Sequence, residues 1–201
     1  MAKEKDQHGG VRDPEGVPSA AAAGARDYVA DVVLRDGGAI QIRAIRPDDR
    51  QRLQELFHSL SDQSVYNRFF TRKRELSPSE LDYLTGIDQV RHVALAAVIP
   101  SGSAAEPIIG VARYALHGKG RAEIAYAVAD AHHHRGIGSA LLQHLAAVAR
   151  AAGLTTFAAN VLLENVPLQL AFLARSGFHP RVTSRHGVAH LSFPVGTAEH
   201  G

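Results

Sequence analysis

Apolar positions along the chain recur with two periods. Tyr28 to Leu34 and Ala39 to Arg46 are strand-like runs, and Arg35-Asp36-Gly37-Gly38 between them is a hairpin-turn signal. In the second run Ile40, Ile42 and Ala44 alternate with Gln41, Arg43 and Ile45, the pattern of a half-buried strand. Pro47-Asp48-Asp49 then opens a helix, because proline and acidic side chains suit a first turn, and Leu53, Leu56, Phe57 and Leu60 give it an apolar face. Ser61 to Phe70 predicts a second short helix. Ser77-Pro78-Ser79-Glu80 predicts a third, with Ser77 as N-cap, Pro78 at the first position and Glu80 completing a capping box; it carries Leu81, Tyr83 and Leu84 and ends near Gly86.

His92 to Ile99 is nearly continuous apolar sequence, the mark of a buried strand. Pro107 to Leu116 and Arg121 to Ala129 flank the turn His117-Gly118-Lys119-Gly120, so these three segments predict an antiparallel meander. Next, Ile137, Ala140, Leu141, Leu145, Val148 and Ala152 share one helical face, which Gly153 closes. Thr156 to Leu162 predicts a strand, Asn165 to Arg175 a helix, and Phe178 to Thr183 and Val188 to Phe193 the last two strands. The order predicts an α/β (α+β) domain over residues 27–196, with a mixed, mostly antiparallel sheet flanked by helices. Residues 1–26, rich in Gly, Ala, Pro and charge without periodicity, read as a disordered tail, and 197–201 as a disordered C-terminus.

Composition narrows the chemistry. The 201 residues are 45% hydrophobic and 21% charged, enough for one real core. A net charge of +2 is too small for a nucleic-acid-binding composition, although a mildly positive field attracts an anionic cofactor. The absence of cysteine excludes disulfides, thiolate metal sites and a cysteine nucleophile, and agrees with a cytoplasmic protein. No apolar run is long enough to span a membrane, and MAKEKDQHGG has no apolar signal core. The basic run Arg68 to Arg74 reads as a solvated rim facing an acidic protein partner, and the triple His132-His133-His134 as solvated or phosphate-facing side chains, since neighbouring turn residues seldom converge on one ion.

The candidate site centres on Asp130 to Leu142, DAHHHRGIGSALL, which joins the meander to the long helix. Glycines at a strand-to-helix turn expose backbone N–H groups, and the first turn of a helix adds unpaired donors and the positive end of its dipole. Together they suit a phosphate of a pyrophosphate-bearing ligand at 133–139. A dinucleotide fingerprint is not met: Leu141 stands where its third glycine would be, and no acidic residue about 20 positions on closes a βαβ unit.

HHRGIGSALLQHL at 133–145 resembles the acyl-CoA signature of the GNAT superfamily of N-acyltransferases, Q/R-x-x-G-x-G/A, and the element order resembles that fold over 28–194. Asn165 and Gly177-Phe178 are similar to the family's downstream Asn…Gly-Phe element. LRDGGAIQIRAIRPDD, SVYNRFF, LTGIDQVRHVAL, IIGVARY and AEIAYAV resemble the branch of bacterial protein lysine acetyltransferases that act on acyl-CoA synthetases. The resemblance implies acetyl-CoA as cosubstrate, with no metal. Its pyrophosphate would meet the amides around His133, His134, Arg135, Gly136, Ile137, Gly138 and Ser139. Backbone at Ala127 and Val128 would meet the pantetheine arm, N–H groups near Val128 the oxyanion, and Asn165 the pantetheine or thiol. Tyr66 and Asp88 would line the acceptor side, or serve in core packing and turn capping. His133 departs from the signature's Gln or Arg but can still donate one hydrogen bond. The Asn165-to-Gly177 spacing is one residue longer than usual, and Phe172 or Leu173 replaces the tyrosine that many relatives use as general acid.

Glu123 stands where that branch has its general base, and it is also the only acid in its strand. Alternation puts it on one face with Ala125 and Ala127, whose short side chains leave room for a ligand. Partial burial would raise its pKa toward the range of a useful base. The alternative is a strand-end glutamate paired with Arg121 or Arg113. The reading as a whole is an acetyl-CoA-dependent N-acetyltransferase whose acceptor is a protein such as an acyl-CoA synthetase, working as a monomer or homodimer without nucleic acid or membrane. Two others stand beside it: an acetyltransferase for a small amine, and a non-catalytic acyl-CoA-sensing module.

Overall fold

The computed structural model describes residues 25–100, 106–185 and 187–196. Eight strands form one sheet: β1 (Val29–Val33), β2 (Ala39–Ala44), β3 (His92–Val98), β4 (Ile108–Leu116), β5 (Arg121–Val128), β6 (Thr156–Leu162), β7 (Arg181–Arg185) and β8 (Val188–Pro194). Their order across the sheet is β1-β2-β3-β4-β5-β6-β8-β7. Every neighbouring pair is antiparallel except β5 with β6. Five helices cover the sheet: α1 (Arg50–His58), α2 (Asp62–Phe69), α3 (Pro78–Thr85), α4 (Ile137–Ala151) and α5 (Val166–Arg175). Among the described residues, no helix is long and apolar enough to cross a membrane.

The continuous apolar run of β3 follows from its central place. Val93, Leu95 and Ala97 face one core, with Leu141, Leu145, Phe157 and Phe193. Ala94, Ala96 and Val98 face a second core, with Leu53, Leu56, Phe57 and Leu84. Both faces are covered, so neither tolerates charge. Helices α4 and α5 pack on the first face and α1–α3 on the second. The capping box of α3 forms as expected: Ser77 Oγ accepts from the Glu80 amide, and Glu80 Oε2 accepts from the Ser77 amide at 2.9 Å.

Three expectations need correction. Arg43 is 4% exposed; both its terminal nitrogens donate to Asp49, itself fully buried, at 2.7 Å. The alternation of β2 hid this because a paired guanidinium can occupy a core position. Phe178 is not a strand residue: it is 1% exposed and packs 5.5 Å from the Phe193 ring, and β7 begins only after Pro180. Ala25 and Arg26, placed in the tail, belong to a 3-10 turn at Ala25–Asp27, with Ala25 buried and its amide bonded to the Gln89 carbonyl. The rest of the expected tail and the expected 197–201 terminus lie outside the described residues.

Candidate active site

The sheet is split where its one parallel pair ends. Arg121, Ala122 and Glu123 of β5 register with Thr156, Phe157 and Ala158 of β6, and pairing stops there, although the strands run on to Val128 and Leu162. A cleft of about 780 Å³ occupies the opening. Ala129 N–H bonds to the Ile109 carbonyl on the β4 side, so alternation turns the polar backbone of Val128 and Tyr126 toward the cleft. β6 offers this stretch no strand pairing, so an extended ligand would have backbone to pair with there, although the Val128 carbonyl already accepts from His133. Ala127 turns its backbone toward β4 and meets the cleft with its side chain.

One wall of the cleft is the turn before α4. His134 (φ 62°) and Gly136 (φ 90°) both lie in the left-handed region, the first despite its Cβ. The first helical bond of α4 runs from the Ala140 amide to the Gly136 carbonyl, and no side chain caps Gly136. The amides of residues 134–139 donate to nothing else among the described residues. Six free donors around a helix N-terminus are an arrangement suited to an anion such as phosphate, as the sequence leads one to expect.

Side chains hold this turn rather than fill it. Arg135 Nε donates to Asp36 Oδ2 at 2.6 Å, and Arg135 Nη1 lies 3.0 Å from His132 Nδ1. The Arg135 hydrogen bond, with help from the Gly38 amide, keeps Asp36 below the usual carboxylate range. His133 Nε2 donates to the Val128 carbonyl at 2.9 Å, so the residue at the Gln/Arg position ties the turn to the end of β5. Ser176 Oγ donates to the Phe172 carbonyl, which leaves Ser139 Oγ as donor to Ser176 Oγ at 2.8 Å. Gly138 lets α5 approach: a Cβ there would lie 3.2 Å from the Phe172 ring. The three consecutive histidines do not converge, and among the described residues no group of His, Cys, Asp and Glu is arranged to hold a metal.

Residues 127, 128 and 133–139 all line the cleft, and so does Asn165, whose Nδ2 donates to Asn67 Oδ1 of α2 at 2.7 Å. Glu123 stands just outside the lining. The expected partial burial is absent: Glu123 is exposed. Its partner is neither Arg121 nor Arg113 but Asn160 of β6, whose Nδ2 donates to Glu123 Oε1 at 2.9 Å. Asn160 Oδ1 in turn accepts from His190 Nδ1 at 2.5 Å. Asn160 lines the cleft, so Glu123 is held at its rim. Asn160 was missed, although a lone amide in the apolar strand TFAANVL is a visible signal. Tyr126 was also missed. It lines the cleft, stacks 5.0 Å from the Phe172 ring, and donates its hydroxyl to Gln169 Oε1. Burial pushes its phenol up, so it stays protonated. Asp88 caps a turn, accepting from the amides of Val90, Arg91 and His92, while Tyr66 is exposed on α2.

A strand pair opened beside a run of free amides, with a carboxylate at the rim, offers room for a long phosphorylated ligand laid across a sheet. The chain belongs to the acetyltransferase (GNAT) family, whose model matches residues 53–178. It is 32% identical over 149 residues to Acetyltransferase PA5475 of Pseudomonas aeruginosa, covering 71% of this chain and 79% of that one. It is 30% identical over 140 residues to Acetyltransferase Pat of Mycolicibacterium smegmatis, covering 69% of this chain but only 41% of that relative's length. The crystal structure of the GNAT domain of S. lividans PAT superposes with a TM-score of 0.74 at 39% identity, covering 83% of this chain and 96% of that one. The chain is an N-acetyltransferase of this family, with acetyl-CoA as cosubstrate.

Proposed function

We propose that the chain acetylates the ε-amine of a lysine in a protein acceptor of the acyl-CoA synthetase kind, with Glu123 as general base. The observation that carries this is Glu123 fixed by Asn160 at the rim of the split beside the cradle. The amides of residues 134–139 would hold the pyrophosphate, Val128 and Asn165 the pantetheine arm and thiol. The acceptor reaches the thioester as a neutral amine after its ammonium gives a proton, directly or through water, to Glu123. Nitrogen then bonds to the carbonyl carbon, the carbon–sulfur bond breaks, and thiolate takes up a proton. One ammonium and one acetyl thioester become one amide, one thiol and one released proton. Backbone N–H at the end of β5 would stabilise the oxyanion.

A small polyamine acceptor is disfavoured by charge. Among the described residues no carboxylate lines the cleft, and Arg68 does. Similarity to S. lividans PAT and M. smegmatis Pat supports the protein-acceptor reading. The test is thiol release from acetyl-CoA with an acyl-CoA synthetase and with a panel of small amines. Release with the synthetase, and a loss of about 10²–10⁴ in kcat/KM for Glu123→Gln, is the expected result. Release with small amines alone would move the acceptor to that class. Coenzyme binding without release on any amine would leave a sensing module. Full activity of Glu123→Gln across pH would remove it as base.

A further inference from the structure

The face of β5 that carries Glu123, Ala125 and Ala127 looks toward α1–α3. Arg68 of α2 lies over it. Its side chain lines the large cleft and also a smaller cavity of about 30 Å³ shared with Ala127 and Arg113 of β4. Arg113 registers opposite Ala125 and is 6% exposed. It donates to the Leu84 carbonyl at 3.3 Å and lies 3.5 Å from His92 Nε2. The Arg68 guanidinium lies 4.9 Å from the Phe69 ring centroid. Among the described residues no carboxylate forms an ion pair with either guanidinium.

Arg113 is buried and Arg68 half-buried, and two like charges so placed without a paired carboxylate are costly to keep. Burial pulls Arg68 below the ordinary guanidinium range, against the attraction of Glu123 and Tyr83. Burial and then Arg68 pull Arg113 down to about 9, with Tyr83 acting the other way. A guanidinium keeps its proton even where burial disfavours it, so both side chains carry charge. The other groups on this wall do not cancel them. His92 of β3 is pushed down to about 4, by burial first and then by Arg113, and is neutral. Tyr83 of α3 lies against the His92 ring, and Asp88 is occupied with three backbone amides. Among the described residues, Glu123 at the rim is the carboxylate that attracts Arg68.

We propose that Arg68, backed by Arg113, sets the protonation state of the acceptor: it repels an arriving ammonium and favours the neutral amine. This rests on the reading of Glu123 as base. The positive wall stands beside the path of the amine, so the ammonium sheds its proton to Glu123 and on to solvent at a lower pH than it would in water. Activation of an amine by a neighbouring cation is an established route to a nucleophile. A single charge a few ångström away in a partly desolvated site moves a titration by roughly one pH unit.

The test is the pH profile of kcat, which reports groups in the bound complex. Thiol release is followed with acetyl-CoA and an acyl-CoA synthetase, both saturating, from about pH 6 to about pH 10. In the wild type the acidic limb should lie below the free lysine value of about 10.4. Arg68→Met should move it up by roughly one unit while keeping the alkaline plateau; Arg68→Lys should leave it in place. A wild-type limb at the free-lysine value would overturn the proposal without any variant. An unmoved limb in folded Arg68→Met, or a fall of equal size at every pH, would also overturn it. If Glu123→Gln is fully active, the base assignment fails instead, and the two failures are told apart.

Discussion

Glu123 was legible as a single acid in an apolar strand, but its surroundings were not. Asn160 lies 37 residues away and His190 a further 30, and only the β5–β6–β8 register brings them together. Asn160 Oδ1 accepts from His190 Nδ1 and its amide hydrogen goes to Glu123, so the three residues are read in one direction only. Removing the middle one frees the carboxylate to rotate. Asn160→Ala should therefore lower kcat about tenfold, the order of one orienting hydrogen bond, with folding intact. Steady-state kinetics on the purified variant, beside its thermal midpoint, decides this; an unchanged kcat would mean that Glu123 needs no orientation. Arg43 was illegible for the same reason: its partner Asp49 belongs to the next element, and alternation alone cannot tell a paired buried arginine from an exposed one.

At the level of elements, local signals were reliable where the physics is local. The capping box of α3 forms from four consecutive residues, and the long apolar run of β3 becomes a strand covered on both faces. The last hairpin was harder. Phe178 is apolar like a strand residue, yet it serves as a core plug after α5, and β7, which follows Pro180, is exposed along its length. The turn before α4 was read from its glycines, and its left-handed Gly136 follows that reading; left-handed His134 does not. Gly136→Ala forces a Cβ into φ 90°, at a cost of roughly 1–2 kcal/mol, and tilts the free amides. Calorimetric titration with coenzyme A should show affinity weakened about tenfold, since 1.4 kcal/mol is one decade. Unchanged affinity would show that the cradle does not depend on this backbone.

The whole molecule carries a pH signature of its own. His92 is held at about 4, and burial also lowers His144, which meets the Tyr28 hydroxyl at 2.6 Å. Each gives up its proton at a lower pH in the fold than in the unfolded chain, where a histidine titrates at about 6.5. Their depressed values stabilise the fold above that pH, and the benefit is lost as pH falls below about 6.5, for His92 down to about 4. Carboxylates lowered in the fold, such as Glu80 and Asp88, act in the acid range below about 4.5, so the upper window belongs to the histidines. Denaturant titrations at about pH 7 and about pH 4.5 should show a fall in stability that is smaller in His92→Gln. An identical fall in the variant would exclude His92 as a source.

The split between β5 and β6 gives the molecule a mechanical character. Two panels, β1–β5 and β6–β8, share a seam of three residue pairs; α4 packs on β5, α5 on β6, and the two helices touch each other. A guest that bonds to the free edge of β5 acts as the missing rung of that ladder, and binding to the folded form alone tightens the whole sheet by mass action. Coenzyme bound along that edge would therefore raise the thermal midpoint of the whole fold.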